Sequence, residues 1–285
     1  MRFAFSTNAY RRFPFDEAAR RIAALGYDGL ELMADVPHAW PAGLLEGPKQ
    51  GIREAMAATG LAFSNVNAFM MNAINDHRHP FLHPSFIEDD EGYRRVRIDH
   101  TRRALDLCAE LGAPHITTEP GGPFRAGAPG RAAAIDRFVE SLKPLVEHAE
   151  EVGVLLLVEP EPFLLVETTD QYLEIAERIN SPALGLNFDV GHAYCVSEDL
   201  PRAIRKLAPH TRHYHFEDIA ASREHHHLIP GDGAIDFAEV VAAIKATGYD
   251  GWLTVELYPN LEDPDTAARR ALEYLAPLVN APAPA

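Results

Sequence analysis

An α/β domain built as a single closed (β/α)8 barrel, with a parallel eight-stranded barrel inside and helices outside, is the fold this sequence predicts. Three observations point to it. Short aliphatic runs of strand character alternate with amphipathic helical stretches at a spacing of roughly 30 residues, the rhythm of βα units in a parallel sheet. Eight strands and eight helices can be counted in strict alternation, more strands than an open doubly wound sheet usually has, and no GxGxxG phosphate turn follows the first. Four late strands in succession end in acids or carry a histidine, as they would if delivered to one rim.

Taken in order, strand character over 3–6 gives way to a helix over 15–25, with Ala18, Ala19, Ile22 and Leu25 at helical spacing and Gly26 closing it. A second strand covers 28–33 with Glu31 near its end, a helix over 50–59 stops at Gly60, and 62–67 is the third strand. The segment 68–93 breaks this rhythm with Met70, Met71, His77, His79, His83, Pro80, Pro84 and an acidic end from Glu88 to Glu91. A connection longer than about 15 residues inside a compact fold is usually a lid or binding loop. Its place after the third strand hangs it over the strand ends, where its histidines are either ordinary loop residues or ligands.

A helix over 94–111 then ends at Gly112, the fourth strand over 115–119 reaches Glu119, and a helix over 130–152 ends at Gly153. Strands over 155–159, 184–189, 213–216 and 252–256 follow, separated by helices over 170–179, 200–207 and 236–247 and closed by one over 266–278. Asp236 and Asp265 are the expected caps of the last two helices. The whole reads as one domain over 1–279 with a flexible tail over 280–285.

Composition narrows the function. A hydrophobic fraction of 47% belongs to a globular chain, and 42 acidic against 26 basic residues give a formal charge of −16, which repels polyanions and argues against a nucleic-acid partner. Cys108 and Cys195 are too few for a disulfide framework and read as reduced thiols. No apolar run approaches the roughly 18 residues of a membrane span, and residues 1–7 lead into a strand without a signal-peptide core. A cytoplasmic protein without a membrane partner is expected.

Glu159, Asp189, His215 and Glu256 lie 30, 26 and 41 residues apart, each about one βα unit, so they belong to successive strands. One acid closing a strand is ordinarily a loop residue; four residues of metal-ligand type in succession describe a site, with hard oxygens and one imidazole nitrogen suited to a divalent cation. A proton next to a carbonyl is too weakly acidic for a carboxylate to remove unless the resulting enolate is stabilised, as a cation at the carbonyl and adjacent hydroxyl oxygens does. Two carboxylates on opposite sides of that carbon permit removal from one face and return on the other. Epimerisation results. Relay to the neighbouring carbon gives isomerisation, and a leaving group at the β-carbon makes the enzyme a lyase.

Glu159, the 187–192 segment ending in His192, His215 within a strand, the Gly231–Gly233 turn followed by Ile235 to Phe237, and Thr254 to Glu256 together resemble the xylose isomerase-like TIM barrel superfamily. Within it the chain is similar to the sugar isomerase/epimerase group that includes ketose 3-epimerases, hydroxypyruvate isomerases and inosose dehydratases. The likeness spans nearly the whole chain. It implies one divalent cation, commonly Mn2+ with Mg2+, Co2+ and Zn2+ as alternatives, held by Glu159, Asp189, His215 and Glu256. It also implies proton transfer by Glu159 and Glu256, a small polyhydroxy carbonyl substrate, substrate contacts from His192 and Glu167, and a homodimer or homotetramer.

The loop after the seventh strand carries Arg223, His225, His226 and His227 and is expected either to grip the ligand or to be a solvated polar loop. The superfamily relative endonuclease IV has a metal-binding histidine just before the matching turn, which marks His227 for metal or substrate. Glu119 stands near a position where that enzyme uses histidine for extra metals, and is expected at the substrate. Asn67 and Glu119 in place of those histidines, together with the acidic charge, disfavour an endonuclease IV-like phosphodiesterase. Glu161 enters the pocket or points outward as a turn residue. The leading expectation is a metal-dependent sugar isomerase/epimerase, the alternative a lyase or dehydratase on a keto-sugar or cyclitol. Free sugar, sugar acid, cyclitol and sugar phosphate all stay open as substrates.

Overall fold

A computed structural model describes every residue except Ala126 and 282–285. Eight parallel strands close in sequence order: β1 (Arg2–Ser6), β2 (Gly29–Met33), β3 (Ala62–Asn67), β4 (His115–Thr118), β5 (Leu155–Val158), β6 (Leu184–Asp189), β7 (Thr211–Phe216) and β8 (Trp252–Val255). Pairing of β1 with β8, Phe3 opposite Leu253, completes the barrel. Outside it pack α1 (Phe15–Ala24), α2 (Glu46–Thr59), α3 (Glu91–Leu111), α4 (Arg131–Val152), α5 (Thr169–Ile179), α6 (Val190–Cys195), α7 (Leu200–Leu207), α8 (Phe237–Ala246) and α9 (Pro264–Asn280). The eight-strand barrel expected from the sequence is the fold observed.

Four details differ from the sequence reading. A 3-10 turn at Thr7–Tyr10 follows β1, and α6 is an extra helix, begun by the Asp189 carboxylate accepting from His192 N at 2.7 Å. The cap of α9 is Asp263, not Asp265, with its side chain accepting from Thr266 N. Helix α9 runs through Asn280, the first residue of the stretch expected as a tail, and residues 282–285 lie outside those described. Cys108 and Cys195 are both free, and among the described residues no helix is long and apolar enough to cross a membrane.

The strands are buried on both faces, which is why their sequences read as near-continuous apolar runs. The barrel interior is nevertheless partly polar. His213 bonds Asn187 Oδ1 through Nδ1 at 2.9 Å and Thr254 Oγ1 through Nε2 at 2.7 Å, and His115 Nδ1 meets Asn65 Oδ1 at 2.9 Å. Burial holds His213 well below the usual imidazole range and His115 down to about 3, so both rings fill the core uncharged. These hydrogen bonds match the polar atoms of the two rings to partners, the condition under which such groups are tolerated in a core.

Residues 68–90 form the roof that the sequence places over the strand ends, and two buried charges hold it. Asp35 accepts from Asn72 N, Asn72 Nδ2 and Ala73 N at 2.6, 2.7 and 3.0 Å. Arg97 of α3, fully buried, donates to the carbonyls of Ala68, Phe69, Phe81 and Pro84. A guanidinium has five donors in a planar fork, so one side chain fastens both ends of the roof. Burial lowers its pKa to about 10, and Arg97 stays cationic at neutral pH. Arg97→Ala leaves those carbonyls without their donor and is expected to cost about 3 kcal/mol in urea unfolding. Limited proteolysis of the variant is expected to cut first within 68–90; an unchanged cleavage pattern would show that the roof stands without it.

Candidate active site

Strands β5 to β8 bring four side chains to one rim. Glu159 follows β5, Asp189 ends β6, His215 lies one residue before the end of β7, and Glu256 follows β8. His215 Nδ1 is 2.7 Å from Glu159 Oε1, 3.8 Å from Glu256 Oε2 and 3.9 Å from Asp189 Oδ2. All four are buried. Their supports come from other elements: Asn187 Nδ2 on β6 donates to Glu159 Oε1 at 2.9 Å, while Asn8 of the 3-10 turn and Asn67 of β3 donate to Glu256 Oε1 at 2.9 and 3.1 Å. Asp189 uses Oδ1 to cap α6 and leaves Oδ2 buried without a hydrogen-bond partner.

The electrostatics follow from this crowding. Burial, reinforced by neighbouring acids, raises Glu159 to about 7 and Glu256 well above the carboxylate range. Desolvation by itself would lower His215, but Glu31, Glu159 and Glu256 around it prevail and raise it well above the usual imidazole value. Among the described residues these carboxylates pair with histidines and with no lysine or arginine. Three carboxylates, one of them with a buried unpartnered oxygen, and one imidazole nitrogen are a donor set that fits a divalent cation of hard or borderline character. Beside Asp189 lies Glu217, fully buried and with its carboxyl pushed well up by burial and by that neighbour. It also explains Gly191, where an added Cβ would sit 1.8 Å from Glu217 Oε1.

Above this floor is a cavity of about 580 Å³, walled by Phe69, Met70, Phe81 and Leu82 of the roof and by Phe163 and Tyr258 opposite. His192 and His227, both expected from sequence at the ligand, line it. Each gives its Nδ1–H to a backbone carbonyl, His192 to Pro160 at 3.1 Å and His227 to Glu256 at 3.0 Å, which leaves Nε2 as an acceptor. Burial holds both rings well below the usual pKa, hence neutral. Glu161 enters the cavity as well, its Oε1 3.8 Å from His225 Nδ1, which decides between its two readings. His79 lines the mouth, whereas His77 is exposed and His83 pairs with Glu88 at 2.8 Å.

Three expected substrate contacts lie elsewhere. Arg223, exposed on a left-handed turn at φ 60°, stacks 4.1 Å over the Tyr194 ring and donates to the Tyr194 carbonyl. Glu167 accepts from Phe163 N at 2.6 Å and so braces its own loop. Glu119 turns away from the cavity and accepts from Phe86 N at 3.0 Å, holding the base of the roof. Conversely, Glu31 on β2 was given no role from sequence, yet its Oε2 is 2.7 Å from His215 Nε2. The signal available was a charged residue inside a strand whose other members are apolar or glycine.

Known proteins share this architecture. The family profile described as xylose isomerase-like TIM barrel matches residues 19–278. Fructoselysine 3-epimerase of Escherichia coli O157:H7 is 28% identical over 98% of this chain and 98% of that protein. Inosose dehydratase of Lacticaseibacillus casei is 30% identical over 165 residues, 52% of this chain and 55% of that one. A solved D-tagatose 3-epimerase-like protein superposes with a TM-score of 0.81 at 23% identity, covering 98% of both chains.

Glu119 offers a test of the roof's electrostatics. Burial raises its carboxyl from an ordinary 4.5 to about 7. A carboxyl easier to ionise unfolded than folded withdraws stability as pH rises through that window, here by up to about 3 kcal/mol. Glu119→Gln keeps an acceptor for Phe86 N and removes the charge. The variant is expected to melt above the wild type at pH 8 and level with it at pH 5; equal shifts at both pH values would show that the charge is not the cost.

Proposed function

The chain belongs to the xylose isomerase-like TIM barrel family, and on that premise we propose that it is a divalent-cation-dependent isomerase or epimerase of a small polyhydroxy carbonyl compound. The observation that carries this reading is His215 Nδ1 facing three carboxylates within 4.0 Å at the floor of a roofed cavity. Glu159, Asp189, His215 and Glu256 would hold the cation, and a donor set of three oxygens and one nitrogen suits Mn2+, with Mg2+, Co2+ and Zn2+ as alternatives. When bound, the cation supplies positive charge that stabilises the oxyanion left by loss of an α-proton.

The chain's own groups supply the rest. Glu159 and Glu256 reach the rim from β5 and β8, three strands apart around the barrel, and a carbon between them shows a different face to each. One carboxylate takes the proton and the other returns one to the opposite face, so configuration inverts. With Nδ1 committed to a backbone carbonyl, His192 offers Nε2 as an acceptor for a substrate hydroxyl, while His227 Nε2 lies 3.3 Å from His225 Nε2. The roof keeps bulk water from the exposed carbanionic carbon. Fructoselysine 3-epimerase, similar from end to end, supports epimerisation as the outcome. The acidic chain suits a neutral small molecule over nucleic acid, and a cytoplasmic homodimer or homotetramer completes the reading.

A second reading has its own support in the similarity to inosose dehydratase. The same proton removal, with a hydroxyl on the β-carbon free to leave, makes the enzyme a dehydratase. Incubation of keto-sugars and inososes in D2O separates the two: deuterium at one carbon with water retained marks an epimerase, and an unsaturated product marks a lyase.

Glu159→Gln and Glu256→Gln are each expected to lower α-proton exchange by about 10²- to 10⁴-fold. Stripping the protein with a chelator should abolish exchange, and Mn2+ should restore it. Full exchange in Glu159→Gln would remove that residue from the base role, and exchange undiminished after stripping would end the cation-dependent reading.

A further inference from the structure

We infer that Glu31 is a positioning residue of this site, an anionic floor that keeps a proton on His215 Nε2 so that Nδ1 faces the cation, and that steadies Glu256 through Asn67. The inference rests on the proposed cation-dependent chemistry and adds a residue to it.

Glu31 sits in a strand whose five residues are all buried, and is itself without exposure. An ionised carboxylate in such a place persists when several donors meet it. Here His215 Nε2 and Asn65 Nδ2 both reach Oε2 at 2.7 Å, and Asn67 Nδ2 lies 3.3 Å from Oε1. β2 pairs with β1 and β3, whereas β7 pairs with β6 and β8, so the contact between Glu31 and His215 crosses the interior of the barrel. Strand pairing does not impose it.

The imidazole supplies the logic. A cation can take the Nδ1 lone pair only while the ring's proton stays on Nε2, and a carboxylate at Nε2 is what fixes that arrangement. A second link runs through Asn67, whose Nδ2 also donates to Glu256 Oε1 at 3.1 Å. Asn65 is braced in turn by Thr117 Oγ1 at 2.8 Å. One side chain beneath the site thus orients two of the four groups that face the cation. Partners of this kind commonly change metal affinity by about 10- to 100-fold.

The test uses Zn2+ as a diamagnetic probe with 15N-labelled protein. In the wild type, the histidine ring signals of His215 should show a protonated Nε2 and a ligated Nδ1. Glu31→Gln should weaken Zn2+ binding, measured by competition with a chelator, about 10- to 100-fold and disturb those signals. Glu31→Asp retains the charge and should recover part of both. Circular dichroism and thermal melting accompany each variant, and Glu31→Asp carries the test if Glu31→Gln does not fold. Wild-type affinity and unchanged His215 signals in both variants would overturn the role of Glu31 while leaving the proposed function standing. A wild type that binds no Zn2+ and exchanges no α-proton would overturn both.

Discussion

Negative charge held out of water around a single imidazole is the constraint on which the rest of this structure depends. Glu31, Glu159, Asp189 and Glu256 converge on His215, two of them at 2.7 Å and two just under 4 Å. Carboxylates so placed repel one another and lose hydration, and burial alone would discharge them. The asparagines of two strands and the 3-10 turn answer this in part by donating to particular oxygens: Asn65 and Asn67 to Glu31, Asn187 to Glu159, and Asn8 with Asn67 to Glu256. Among the described residues no lysine or arginine pairs with these carboxylates, a deficit of positive charge that suits a divalent cation.

The barrel accommodates the constraint because parallel strands end together. Side chains at the ends of β5, β6, β7 and β8 are far apart in the chain and adjacent in space. Small residues protect the geometry where acids crowd, as Gly191 does beside Glu217. The polar interior below, from His213 to Thr254 and Asn187, replaces the aliphatic layers usual in such barrels with matched hydrogen bonds.

The roof solves a different problem by related means. Residues 68–90 have no regular structure, and the backbone groups that their own turns leave unpaired need partners from outside the segment. Arg97 and Asp35 provide them, a cation for carbonyls and an anion for amides. Arg97 is satisfied by main-chain carbonyls, and Asp35 by main-chain amides and the Asn72 side chain, instead of by an opposite charge. Phe69, Met70, Phe81 and Leu82 then present an apolar ceiling to the polar floor, which favours a ligand that is hydroxylated at one end of the cavity and tolerates carbon at the other.

Much of this was legible in the order of residues. The alternation of runs and helices gave the barrel, and acids at the ends of late strands gave Glu159, Asp189 and Glu256 together with His215, because strand periodicity and βα length are local properties. Less legible was direction. Arg223, Glu167 and Glu119 lie on the correct rim loops, yet Arg223 turns to Tyr194, Glu167 to its own loop and Glu119 to Phe86. Loop side chains are aimed by contacts with distant segments, and nothing in their spacing reports those contacts. Glu31 stayed hidden for the same reason, since its partner lies 184 residues away across the barrel. The sequence by itself determined which strands exist and which chemistry their ends carry; only the closed tertiary structure decided which side chains face one another, because that follows from barrel closure and not from any local run of residues.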